Sequence, residues 1–88
     1  LESFELYQNY PNPFNPTTNI QYKLAKDGYI SLNVYNSIGQ KVQTIYKGFQ
    51  SKGVHTEVFD GGKLTSGVYY ISLTNDGKHK TVQALLIK

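Results

Sequence analysis

The sequence predicts an all-β fold, a small Ig-like antiparallel β-sandwich of about seven strands. Three observations predict it. Short runs alternate apolar and polar residues along most of the 88-residue chain, the period-two pattern of strands with one face buried. Turn-forming Gly, Asn, Asp and Ser separate the runs at short, regular intervals. No stretch places apolar residues at i, i+3, i+4 and i+7 over three turns, so no long helix is expected.

The elements follow in order. Residues 1–9 read as the end of a linker with a first strand in FELYQNY (4–10), and 10–88 as the folded domain. YPNPFNPTT (10–18) holds three prolines, each fixing φ and removing a donor, so it should be a stiff extended or turning lead-in. It is a poor candidate for helix or sheet centre. In NIQYKL (19–24), Ile20, Tyr22 and Leu24 alternate with polar residues, and Ile30, Leu32 and Val34 do so in YISLNVY (29–35). Asp27-Gly28 between them carries a hairpin signal. After the turn Ser37-Ile38-Gly39, QKVQTIYK (40–47) has Val42 and Ile45 out of phase, which a bulge would reconcile. Beyond Lys52-Gly53, VHTEVF (54–59) alternates through Val54, Thr56 and Val58. Asp60-Gly61-Gly62 and Ser66-Gly67 precede GVYYISLTN (67–75), with Tyr69, Ile71 and Leu73 on one face. Asn75-Asp76-Gly77 then leads into KTVQALLIK (80–88), where Val82, Ala84 and Leu86 can point inward.

Composition narrows the function. Eighty-eight residues make one domain, small enough that packing against a neighbouring domain would help it. Absence of cysteine removes disulfides and thiolate metal sites and suits passage through an oxidising compartment. A chain that starts at Leu1 and has no methionine is expected to be a piece of something longer. The net charge of +3 comes from nine lysines and no arginine. Without arginine's bidentate fork, specific nucleic-acid binding is not expected. No apolar run approaches the roughly 20 residues of a spanning helix.

No catalytic constellation assembles. His55 and His79 lack Asp or Glu at ligand-like spacing, and Asp27, Asp60 and Asp76 each precede glycine, as turns require. No phosphate loop, nucleophile elbow or dinucleotide motif is present. The chain reads as a non-enzyme with no metal and no cofactor. Eight tyrosines and four phenylalanines leave two readings open. Tyr7, Tyr10, Tyr29, Tyr35 and Tyr46 form either an exposed platform of a carbohydrate-binding module or ordinary cross-strand packing. A passive Ig-like accessory module of a secreted enzyme is a further alternative.

The ordered motifs carry a resemblance. Tyr10-Pro11-Asn12-Pro13-Phe14-Asn15-Pro16-Thr17-Thr18 with Ile20, Gln21, Tyr22 and Leu24 resembles the opening of a type A C-terminal sorting domain of the type IX (Por) secretion system of Bacteroidetes. Val34 to Val42, including Gly39, Lys41 and Val42, is similar to that family's central turn motif. Ser66-Gly67-Val68-Tyr69-Tyr70-Ile71-Ser72-Leu73 resembles its penultimate strand, and Lys80-Thr81-Val82 through Lys88 its terminal strand. The family often has Trp where Phe59 stands and Asp or Asn where Ser37 stands; Phe keeps an apolar plug and Ser keeps turn capacity. Phe59-Asp60-Gly61 and Ser66 to Tyr69 also resemble the Ig-like domain of flagellar-hook capping proteins, which leaves YPNPFNPTT unexplained.

The sorting resemblance implies a secretion signal for an attached upstream cargo domain, which crosses the periplasm and ends on the cell surface or in the medium. Its implied partners are the outer-membrane translocon and a sortase-like peptidase. Recognition is implied at Gly67, Val68, Tyr69, Lys80, Val82 and Lys88, with Pro11, Asn12 and Pro13 forming the N-terminal motif. An unpaired last strand would let the translocon add a strand of its own. A weak homodimer through edge strands stays open.

Overall fold

Strands that each need to bury one face sort themselves into two layers in the computed structural model, which describes residues 4–88. The linker expected at the N-terminus lies partly in residues 1–3, outside the described residues. The strands are β1 (Phe4–Leu6), β2 (Thr17–Leu24), β3 (Gly28–Tyr35), β4 (Lys41–Gln50), β5 (Gly53–Asp60), β6 (Gly67–Asn75) and β7 (Lys78–Leu86). One sheet has the order β1-β2-β5 and the other β4-β3-β6-β7, and all neighbours are antiparallel. The chain is thus the all-β sandwich that its alternation predicts. β1 is shorter than FELYQNY: ladder pairing ends at Leu6, the Tyr7 N–H still donates to the Gln21 carbonyl (3.0 Å), and the chain bridges β2 again at Tyr10, opposite Asn19.

The core lies between the layers. Ile20, Tyr22 and Leu24 face Ile30, Leu32, Val34, Ile71, Leu73, Ala84 and Leu86, all buried. Each large side chain contributes roughly 1.5–3 kcal/mol on burial. Asn75-Asp76-Gly77 makes the expected tight turn, with Asn75 opposite Lys78 and positive φ at Asp76 (57°) and Gly77 (77°).

Two expectations are corrected. Asp27-Gly28 is not a hairpin, since β2 and β3 belong to different sheets. Neither residue has the positive φ that a two-residue hairpin demands. Instead the chain crosses between layers there, and the Asp27 carboxylate accepts a hydrogen bond from the Lys52 backbone N–H at 2.7 Å. This ties the β2–β3 crossing to the β4–β5 crossing. Alternation shows that each strand has an apolar face, but not which neighbour shares it.

The phase of β5 is also inverted. Val54 and Val58 are exposed while Phe59 is fully buried. The register places Phe59 opposite Thr18 and His55 opposite Tyr22. A one-residue slip would exchange the two faces; the face chosen buries Phe59 among aromatic partners, with His55 and Glu57 half-buried on the same side, and leaves Val54, Thr56 and Val58 outside. By contrast, the irregularity expected in β4 occurs twice. Leu32 faces Tyr46 and Asn33 faces Thr44, skipping Ile45; Val34 faces Gln43 and Tyr35 faces Lys41, skipping Val42. The skipped residues are the two apolar ones out of phase, and the bulges let both pack against the core.

Tyr22 carries the one buried polar chain end of this layer with a titration consequence. Its hydroxyl donates to Glu57 Oε2 (3.1 Å) and accepts from Gln50 Nε2 (3.2 Å). Burial pushes its pKa from 10.0 up to about 12; the Glu57 carboxylate adds to the rise, and the Gln50 hydrogen bond opposes it. The phenol thus stays protonated to higher pH in the folded chain than in the unfolded one. Its stabilising contribution is complete below about pH 10 and is lost as pH climbs towards 12. Melting curves across that window should fall more steeply for the parent than for Tyr22→Phe; parallel curves would contradict this.

Candidate functional site

Prolines cannot donate to a sheet ladder, so a proline-rich segment can cover a sheet edge without offering a new one. Tyr10–Pro16 does this. All three of its X–Pro bonds are cis. The Phe14 N–H donates to the Leu85 carbonyl (2.9 Å), and the Ile87 N–H donates to the Phe14 carbonyl (3.0 Å). The Leu85 N–H donates to Asn12 Oδ1 at 2.9 Å, and Gln8 Nε2 donates to the Gln83 carbonyl at 2.7 Å. The outer edge of β7 from Gln83 to Ile87 is therefore closed by the chain's own N-terminal motif. The expectation of an unpaired last strand is corrected for this C-terminal half of the edge, which the strap occupies.

A buried network anchors this strap. The amide of Asn9, 2% exposed, donates to the Pro11 carbonyl (3.2 Å) and to Thr18 Oγ1 (3.1 Å). Thr18 in turn donates to the same Pro11 carbonyl at 2.8 Å. At the far end Phe14, also 2% exposed, plugs the sandwich with its ring 5.3 Å from that of Phe59, which lies 6.5 Å from Tyr69. Gly61 sits beneath. Its N–H donates to the Pro16 carbonyl at 2.7 Å, and a Cβ there would stand 3.0 Å from Leu86 Cδ2 and 3.4 Å from Phe14 Cε2.

Most of the motif residues meet at this end. Gly67 lies opposite Leu86, Val68 opposite Leu85 and Tyr69 opposite Ala84, so β6, β7 and the strap run side by side. The Tyr69 hydroxyl donates to the Thr65 carbonyl at 2.7 Å. The Lys88 ammonium donates to the carbonyls of Gly62 (2.7 Å) and Leu64 (2.8 Å), and its backbone N–H to Ser66 Oγ (3.0 Å). The closing lysine thus pins the loop before β6. Gly39 has φ 86° in a turn where Asn36 Oδ1 accepts from the N–H groups of Ile38 and Gln40. Lys41 is exposed, while Val42 shares a surface groove of about 420 Å³ with Gly67, Val68 and Tyr69.

Two site residues lie elsewhere. Val82 is half-buried opposite Ile71, and Lys80 stands opposite Leu73 with its ammonium 5.4 Å from the Phe4 ring centroid. Pro11, Asn12 and Pro13 are exposed on the strap. The residues sequence reading missed are Leu85 and Ile87, 36% and 50% exposed, on the outer face beside the strap. Their signal was present: an outward position is usually polar, and the unbroken Ala84-Leu85-Leu86-Ile87 run breaks that rule.

The five tyrosines proposed as a platform do not form a row. Tyr10 lies beside β2 and Tyr29 on β3 in the other sheet, both well exposed, whereas Tyr7, Tyr35 and Tyr46 are half-buried. Among the described residues no three of His, Asp and Glu come together to hold a metal.

A solved structure of PorZ, described as an essential bacterial surface component of the type IX secretion system of Porphyromonas gingivalis, has a similar fold. The likeness has a TM-score of 0.60 at 22% identity and covers 94% of this chain but 11% of that one. No curated protein matches the sequence. A family model for the secretion-system C-terminal sorting domain matches residues 8–88, from the anchor of the strap to the closing lysine. The chain belongs to that family, the C-terminal sorting signals of the type IX secretion system.

Proposed function

We propose that the chain is the address of a covalently attached upstream cargo domain and that the outer-membrane translocon reads it as a folded surface. That surface is the strapped end of the sandwich, made of exposed Pro11, Asn12 and Pro13 with the outward Leu85 and Ile87. The observation that supports this reading is the set of hydrogen bonds joining strap and last strand. Motifs at opposite ends of the sequence thereby become one patch, which an unfolded tail would not present. Gly67, Tyr69 and Lys88 hold the patch in shape from behind. The chain itself performs no catalytic step. Cargo crosses the periplasm before export, and a sortase-like peptidase would act on the linker side, away from the closed edge.

Leu85 and Ile87 are the informative pair, since they contact solvent rather than core. With Leu85→Glu and Ile87→Glu together, the domain should melt within a few degrees of the parent. Export of a fused reporter should drop about tenfold or more, the equivalent of roughly 1.4 kcal/mol of recognition. Undiminished export by a folded double variant would overturn the patch.

A further inference from the structure

The outer face of the four-stranded sheet carries a feature outside the patch of Pro11, Asn12, Pro13, Leu85 and Ile87. Here β3, β6 and β7 form an open groove of about 460 Å³, within the range of small-ligand sites. Its walls include Tyr35 and Tyr70, which are cross-strand partners. Between and beyond them lie Ser72, Thr74, His79 and Thr81 on adjacent strands. No lysine, aspartate or glutamate lines it, although the chain carries fifteen such residues (nine Lys plus six acids).

These polar groups are uncommitted. Three tyrosine hydroxyls outside the groove are engaged, Tyr22 with Glu57, Tyr46 with the Phe49 carbonyl and Tyr69 with the Thr65 carbonyl. The side chains of Tyr35, Tyr70, Ser72, Thr74, His79 and Thr81 have no hydrogen-bond partner among the described residues. The framework is nevertheless fixed. Asn33, 8% exposed, donates to Ser31 Oγ and accepts from Thr44 Oγ1, and Asn36 braces the adjoining turn.

Hydroxyls that both donate and accept, set beside amphipathic aromatic rings with no formal charge, match a neutral polyhydroxylated ligand. An anionic polymer would find no cation, and a purely apolar ligand would leave the hydroxyls unpaired. We infer that the groove is a subsite for a neutral saccharide of one or two rings. It lies on the outer face of the four-stranded sheet, uses tyrosines other than Tyr10 and Tyr29, and is independent of how the strapped end is read.

The whole chain, labelled with nitrogen-15, would be titrated with maltose, cellobiose and N-acetylglucosamine, with galacturonate as the charged control. At least one neutral sugar should shift the amides of Ser72, Thr74, His79 and Thr81 saturably, with a dissociation constant on the order of 1–10 mM. Tyr70→Ala should weaken that binding about tenfold or more, and Tyr10→Ala should leave it unchanged. If Tyr70→Ala fails to fold, the near-isosteric Thr81→Val serves in its place and should weaken binding as well. Absence of saturable shifts with all three neutral sugars would overturn the subsite. So would shifts centred on Tyr10 or Tyr29, tighter binding of galacturonate, or affinity indifferent to Tyr70 and Thr81.

Discussion

Replacing Phe14 with alanine is expected to destabilise the domain by about 3–5 kcal/mol, the range for truncating a buried aromatic ring. Phe14 is 2% exposed and packs 5.3 Å from Phe59, and its backbone supplies two of the hydrogen bonds that close β7. The truncation thus leaves a cavity under the strap and loosens the segment whose backbone seals the edge. Small domains hold roughly 5–15 kcal/mol in total, so much of the stability rests on one side chain in an otherwise exposed loop. Urea denaturation of the parent, Phe14→Ala and Phe14→Leu checks this. The leucine variant should recover a large part of the loss, because it refills the plug. A loss below about 1 kcal/mol for the alanine variant would show that the strap is a surface turn only.

Gly61→Val should cost about 1–3 kcal/mol or more by overpacking. Glycine is not needed there for a left-handed backbone; close approach needs it. An added Cβ would lie 3.0 Å from Leu86 Cδ2 and 3.4 Å from both Phe14 Cε2 and the Pro16 carbonyl oxygen. Valine must displace the strap, the last strand or both. Amide exchange of Leu85 and Ile87, whose N–H groups bond to Asn12 and Phe14, should accelerate in the variant beyond that of Ile71 in the core. Unchanged exchange at Leu85 and Ile87 would mean that Gly61 does not hold the closure.

Much of this architecture is legible in the sequence, for a physical reason. Period-two alternation in residues 19–24, 29–35, 67–75 and 80–88 reports directly which side chains are buried, and Asp76-Gly77 has the conformational freedom that its turn uses. The two out-of-phase residues of β4 announced bulges because a strand cannot otherwise turn Val42 and Ile45 to one side. Alternation fails where two phases compete. In β5 both the valines and Phe59 offer an apolar face, and only the aromatic cluster with Phe14 and Tyr69 decides between them. It fails again at Asp27-Gly28, where a turn signal says that the chain reverses but not whether it stays in its sheet.

The site was legible as motifs but not as a place. Nothing local in YPNPFNPTT says that Asn12 will accept a hydrogen bond from Leu85, 73 residues away. That contact depends on the sandwich bringing the start of β2 beside the end of β7. The same long-range closure covers the C-terminal half of an apparently free last strand and leaves Leu85 and Ile87, rather than inward Val82, on the surface beside the strap.

If this fold is by itself sufficient to send cargo through the type IX system, transplanting it onto an unrelated protein should export that protein. A fluorescent protein with an N-terminal export signal and residues 1–88 at its C-terminus would be expressed in a host with a working type IX system and in the same host lacking its outer-membrane translocon. Fluorescence is expected on the surface or in the medium of the first and periplasmic retention in the second. Retention in both hosts, or export from both, would contradict it.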